Sequence, residues 1–278
     1  MTPSLLGLVN ILSRKPRSSQ RVAAGIAYGA HPRQRLDVYR PKAAGADLPL
    51  VVFLCGGAWN SGDRREYGFV GRSLAARGHV VVVPDYRVLP EVEYPEFLVD
   101  CASAVRWATA RAREFGARAS RLVLAGHSAG AYNATMLALD PAYGVSAEVR
   151  AVVGLSGPYD FYPFDIDISR RTFGAVADPL TTQPINFVTG RAPPMLLASA
   201  DGDKLVYPRN TTALAARLRD RHVAVVERHI PGGSHPTTLL EMGSLFAGRT
   251  ELLVEVSDFI ATHTAAQSAL AGRSNHGL

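Results

Sequence analysis

Gly126-His127-Ser128-Ala129-Gly130 is the stretch of this chain whose residue types and spacing speak most directly of chemistry. It matches G-x-S-x-G, a pattern that presents a serine hydroxyl on a sharp turn from strand into helix. Small neighbours are needed there, because larger side chains would meet the adjoining strand and helix. The turn also places Ser128 at a helix N-terminus, where unpaired N–H groups and the helix dipole favour negative charge. A serine hydroxyl is a weak nucleophile until a base takes its proton and a third group fixes the tautomer of that base. In a strand-turn-helix site of this kind the order along the chain is serine, then acid, then histidine.

That order leaves five of the eight histidines as candidates: His222, His229, His235, His263 and His276. His235 lies in Pro231-Gly232-Gly233-Ser234-His235, directly after the last expected strand, where a side chain would hang over the carboxyl edge of a sheet. His229 falls at the end of that strand and His222 before it, while the other two belong to the last helix and the tail. The acid is expected after the apolar run at 195–198, in a loop that offers Asp201 and Asp203. Asp203 is preferred, because it stands where the loop runs on into a helix; Asp201 stays open as the alternative. Donors for an oxyanion are expected from the N–H of Ala129 and from a Gly-rich loop after an earlier strand. Cys55-Gly56-Gly57-Ala58-Trp59 supplies such a loop, although a plain turn would explain it equally without the serine motif.

These segments need a frame to hold them. Apolar runs at 50–54, 80–83, 122–125, 152–155, 195–198 and 223–226 lack polar alternation, as strands covered on both faces do. Between them lie stretches with helical spacing at 69–77, 97–115, 129–139, 210–218 and 251–261. Strand and helix alternating in this way predict an α/β fold, a mostly parallel sheet with right-handed crossovers and a ligand site at the carboxyl ends of the strands. Residues 34–39 alternate polar and apolar and read as an antiparallel edge strand. Residues 158–191 are rich in aromatics, Pro and Asp and lack a period, so they either fold over the site as a cap or bury their own Phe161, Tyr162, Phe164 and Phe173.

Composition narrows the function classes. The chain has 278 residues and a net charge of +6, but its 30 Lys and Arg are scattered, with none of the clustering that a nucleic-acid binder shows. Two cysteines, Cys55 and Cys101, imply neither a disulfide framework nor a metal site. No apolar run is long enough to span a bilayer. Residues 5–12 form a short apolar patch with Arg14, Lys15 and Arg17 after it, the reverse of the order in a signal peptide, and read as a short helix packed on the body of a cytoplasmic protein. The expected division is an N-terminal segment (1–20), one domain (21–264) with 158–191 as its cap, and a mobile tail (265–278).

Taken together, the Gly-Gly-x-Trp loop, Val83-Pro84-Asp85-Tyr86-Arg87, Gly126-His127-Ser128-Ala129-Gly130 and Pro231-Gly232-Gly233-Ser234-His235 resemble the esterase/lipase branch of the α/β-hydrolase superfamily. The likeness is greatest to small carboxylesterases and kynurenine-formamidase-like enzymes, and residues 35–41 share it. It implies a sheet of about eight strands with helices on both faces, Ser128, Asp203 and His235 as a triad, and Gly57, Ala58 and Ala129 as oxyanion donors. With it go Trp59 and Tyr159 against the substrate, and no cofactor and no metal. The expected reaction is hydrolysis of carboxylic esters with small to medium acyl chains. An arylformamidase, cleaving an N-formyl amide with the same groups, and a silent hydrolase fold used for binding are the alternatives. The family's loop begins with His where this chain has Cys55, so weaker support of that loop is expected, since a thiol is a poor hydrogen-bond partner. Oligomeric state is left open, a homodimer included.

Overall fold

The computed structural model describes residues 4–43, 45–243 and 251–265. Eight strands form one sheet: β1 (Ser19–Ala27), β2 (Arg35–Pro41), β3 (Leu48–Leu54), β4 (Val80–Pro84), β5 (Ala117–His127), β6 (Val149–Leu155), β7 (Met195–Ala200) and β8 (Val225–Ile230). Their order is β1-β2-β4-β3-β5-β6-β7-β8. The six strands from β4 to β8 in that order run parallel, and β1 and β2 are antiparallel additions.

The unbroken apolar runs follow from what covers the sheet. Leu50, Val52, Leu122, Leu124, Val152 and Leu197 point into one core, shared with α3 (Glu96–Ala110), α4 (Ala129–Leu139) and α6 (Arg209–Asp220). The alternate residues, among them Val51, Phe53, Val123, Val153 and Leu196, enter a second core. There they meet α2 (Gly68–Ala76) and α8 (Glu251–Thr264), and Leu6 and Val9 of α1 (Leu5–Leu12) pack on the same side. A strand whose successive side chains feed two cores has no polar face to show, which is why alternation is absent.

Two expectations are corrected at the sheet's ends. Residues 34–39 do form an antiparallel strand, but β2 is interior and β1 is the edge. β1 carries register shifts around Ala23, and Gly25, with a φ of 65°, donates its N–H to the buried carboxylate of Asp37 at 2.8 Å. Those shifts break the alternation by which β1 could have been recognised. At the far edge, β8 starts and ends later than the run at 223–226 suggested, because an edge strand tolerates Glu227, Arg228 and His229 along its half-buried length. The 97–115 helix is α3 followed, after Arg111, by a separate 3-10 turn. Residues 1–3, and all of the tail 265–278 except Ala265, lie outside the described residues.

Candidate active site

β5 ends at His127 and α4 starts at Ala129, so Ser128 alone makes the turn, with φ 55° and ψ −124°. Such a backbone costs about 1–3 kcal/mol in a non-glycine residue. It survives because both sides are fixed: the Ser128 N–H donates to the Leu155 carbonyl at 2.8 Å, and its carbonyl accepts from Ala131 and Tyr132. Gly126 and Gly130 are required, since a Cβ on the first would collide with the backbone of Gly130, and one on the second with the backbone of Leu54.

His235 hangs from the loop after β8, as its place in the chain suggested. Its Nδ1 is 2.8 Å from Asp203 Oδ2 and its Nε2 is 2.9 Å from Ser128 Oγ. A carboxylate can only accept, so Nδ1 carries the proton, and Nε2 offers its lone pair to the serine O–H. Asp203 Oδ1 accepts from the N–H groups of Leu205 and Val206, both at 2.9 Å. Burial alone would raise the Asp203 carboxyl, but the hydrogen bonds from His235 and these amides outweigh it and hold the carboxyl below its ordinary value. The loops carrying Asp203 and His235 are tied together as well, Gly202 N–H to Gly233 O at 2.9 Å and Asp201 N–H to Ile230 O at 3.0 Å. Asp201, the alternative acid, faces His229 instead, 3.7 Å from its Nδ1.

The loop after β3 approaches Ser128 from the other side. Gly57, Ala58 and Trp59 have φ of 129°, 48° and 55°, three consecutive residues in left-handed territory. Side chains other than that of Cys55 hold this strained loop. Tyr67 Oη accepts from the Gly56 N–H at 2.9 Å, Tyr86 Oη donates to the Cys55 carbonyl at 2.7 Å, and Trp59 Nε1 donates to Asn133 Oδ1 at 3.1 Å. Arg64, bonded to Asp85 and Asp37, anchors the turn that follows. The Cys55 side chain is buried, and burial, with Asp85 nearby, pushes its thiol well up, so it is a packed apolar group and no thiolate nucleophile.

Ser128, Ala58, Trp59 and Ala129 open onto one cavity of about 180 Å³. Ala129, the first residue of α4, has no intrahelical acceptor for its N–H. Pro158, Phe161, Ile166 and Ile168 form one wall and Leu205, Val206 and Tyr207 another. Segment 158–191 supplies part of that lining but does not bury all of its own aromatics, since Tyr162, expected inside, is 48% exposed. The segment does bury Phe173 against Trp59, ring centroids 4.9 Å apart, with Phe161 and Phe164 packed on Phe173. Two expected residues are placed differently. Gly57 is not on the cavity wall, although a Cβ there would strike Ser61, and Tyr159 is fully buried against Gly154 and Gly157, so it shapes the wall from behind and does not touch the cavity. Asn210, unremarked in the sequence, fixes the start of that segment by accepting from the N–H groups of Tyr159 and Asp160, both at 2.9 Å.

A doubly covered, mostly parallel sheet with a serine on the turn after its fifth strand is the α/β-hydrolase fold. The BD-FAE family model matches residues 36–218, and the chain belongs to that family. Among curated proteins it is similar to Esterase LipC of Mycobacterium tuberculosis, 32% identical over 243 residues that cover 78% of this chain and 60% of that protein. It is also similar to kynurenine formamidase of Danio rerio, 33% identical over 153 residues, 54% of this chain and 51% of that one. The chain thus spans less than two thirds of the length of these relatives. Its fold is that of Esterase B from Lactobacillus rhamnosis inhibited by a tributyrin phosphonate, with a TM-score of 0.82 at 21% identity, covering 93% of this chain and 90% of that one.

Proposed function

We propose that this protein hydrolyses carboxylic esters through an acyl-enzyme on Ser128. The observation that carries the proposal is the continuous hydrogen-bonded chain from Ser128 Oγ through His235 to Asp203, open at the serine end to an apolar cavity. Ser128 Oγ attacks the ester carbonyl as its proton passes to His235 Nε2, and Asp203 stabilises the imidazolium that forms. The N–H groups of Ala129 and Ala58, with Gly57 helping to shape their loop, receive the oxyanion. The tetrahedral carbon then expels the alkoxide, which takes the proton from His235, and water repeats the sequence to release the acid.

The size of the cavity supports small to medium acyl chains, and the similarity to Esterase LipC supports an ester as substrate. Similarity to a kynurenine formamidase favours N-formyl amide cleavage as the second reading, since the same groups would perform it. Residues 158–191 act as the cap of a single hydrolase domain in this proposal. Two free, buried cysteines support a reducing compartment, the cytoplasm. No helix among the described residues is long and apolar enough to cross a membrane. Nothing in the arrangement calls for nucleic acid, a metal or a cofactor.

Purified protein assayed on p-nitrophenyl acetate and butyrate beside N-formylkynurenine, with Ser128→Ala as control, tests the reading. Turnover lost in the variant, with esters preferred, is the expected result; preference for the formamide would select the second reading, and turnover unchanged in the variant would reject both.

A further inference from the structure

The ring of His127, a residue the mechanism above does not use, touches both loops flanking Ser128. It is buried, 6% exposed, at the last position of β5. On one side its Nε2 lies 3.2 Å from the main-chain carbonyl oxygen of His235, and the two imidazoles face each other with centroids 4.9 Å apart. On the other side it packs against the start of the oxyanion loop, so closely that a Cβ on Gly56 would stand 2.9 Å from the His127 carbonyl oxygen and 3.1 Å from its Nδ1.

The hydrogen bonding fixes the state of the ring. A carbonyl oxygen can only accept, so Nε2 carries the proton, and Nδ1 is left as a buried acceptor that meets no donor among the described residues. A buried polar atom without a partner asks for an explanation. Here the opposite tautomer would be worse, stranding a donor at Nδ1 and turning two acceptors on each other at Nε2. Burial and the neighbouring His235 also depress the ring's pKa to about 3, so it stays uncharged beside a second imidazole.

We propose that His127 is a positioning residue for the base: its neutral Nε2–H holds the His235 main chain, and its ring fixes the distance between the base loop and the oxyanion loop. The proposal rests on the reading of His235 as base. Besides the contacts of its ring with Asp203 and Ser128, the His235 loop is held from the Asp203 loop, through Gly202 N–H to Gly233 O and Asp201 N–H to Ile230 O, and from within, through Ser234 N–H to Thr237 Oγ1. His127 is the contact from the nucleophile's strand. A neutral donor suits this place, because a cation would oppose the imidazolium that must form 4.9 Å away, whereas an apolar residue would leave the His235 carbonyl unheld.

Two variants separate the contacts. His127→Phe keeps a ring and loses the donor; His127→Gln places an amide N–H near Nε2 and loses the ring. With p-nitrophenyl acetate, and active sites counted by fluorophosphonate labelling, H127F is expected to lose roughly 10- to 100-fold in kcat with KM within about twofold of wild type, as small misplacements of a catalytic group do. H127Q is expected to stay within about fivefold of wild type. An H127F kcat per labelled site equal to wild type would overturn the proposal, as would H127Q falling as far as H127F. Should H127F not fold, ¹⁵N NMR of histidine-labelled wild type decides: a neutral His127 protonated at Nε2 at pH 7 is expected, and a proton on Nδ1 would overturn it. Absence of Ser128-dependent turnover in the wild type would reject the esterase reading itself, and is told apart by the Ser128→Ala control.

Discussion

Among the described residues one serine-histidine-carboxylate set lies within the sheet and another at its carboxyl edge, and the second has its serine on the cavity wall. Ser199 Oγ is 3.0 Å from His229 Nδ1, and His229 Nε2 is 2.9 Å from Glu227 Oε1, distances indistinguishable from those of Ser128, His235 and Asp203. The settings differ in every other respect. Ser199 is buried inside β7, in register with His229 on β8, so its hydroxyl spans two neighbouring strands. It follows no turn, precedes no helix and is not on the cavity wall. The ring is used the other way round, with Nδ1 toward the serine, and Glu227 shares its charge with Arg219 at 2.8 Å. Hydrogen-bond geometry alone therefore does not mark a nucleophile; the proposal for Ser128 rests on its turn, on the N–H at the start of α4 and on the adjoining cavity.

The contrast can be broken by substitution. Ser128→Ala should lower kcat by about 10⁴- to 10⁶-fold, whereas Ser199→Ala should leave it within about twofold. A tenfold loss at Ser199 in steady-state assays would mean that the two sets are not functionally distinct. Asp203→Asn should cost about 10²- to 10⁴-fold in kcat by permitting the wrong tautomer of His235, while Asp201→Asn, whose partner is His229, should cost less than about fivefold.

Acid should act through the buried rings. Burial, then nearby Arg121 and Arg77, lowers His79 to about 4, and His127 lies near 3. Both are neutral in the fold and near 6.5 when unfolded, so the unfolded chain binds more protons between those values. Their contribution to stability is complete above about pH 6.5 and declines as pH falls toward 4 and 3, by roughly 3–5 kcal/mol per ring. Urea titrations at pH 7.0, 5.5 and 4.5 should show the midpoint falling, and His79→Gln should make the fall shallower. The smallest effect is expected for Glu227→Gln: a loss below about 1 kcal/mol in the same titration, because Arg219 is half exposed, and an unchanged kcat.

How much of this could be read beforehand depended on whether the deciding contact was local. The turn at Ser128 and the strands β3 to β7 were legible, because glycine spacing and unbroken apolar runs are local consequences of a sharp turn and of double coverage. β1 was not, since the shifts around Ala23 erase its alternation. The choice between Asp203 and Asp201 rested on two residues of one loop, and the geometry separates them by the turn Asp203 N–H to Ala200 O, which aims one carboxylate at His235 and leaves the other at His229. The hold of Tyr67 and Tyr86 on the loop at Cys55 was not legible, because their hydroxyls come from outside the Gly-rich motif. Tyr159, set against the substrate with the family resemblance, instead lies where two glycines open room for its ring inside the core. His127 was in plain view within the motif, and only the fold of the last loop shows what its ring meets.

Every residue of α4 is buried, so the helix that Ser128 leads into has no solvent-facing side. An element enclosed on all sides cannot fray or open by itself; its amide protons exchange with deuterium only when the whole domain opens. Loss of hydrogen-exchange protection along α4 on warming is therefore expected to coincide with loss of the fold as a whole, as exchange and far-UV circular dichroism followed together would check.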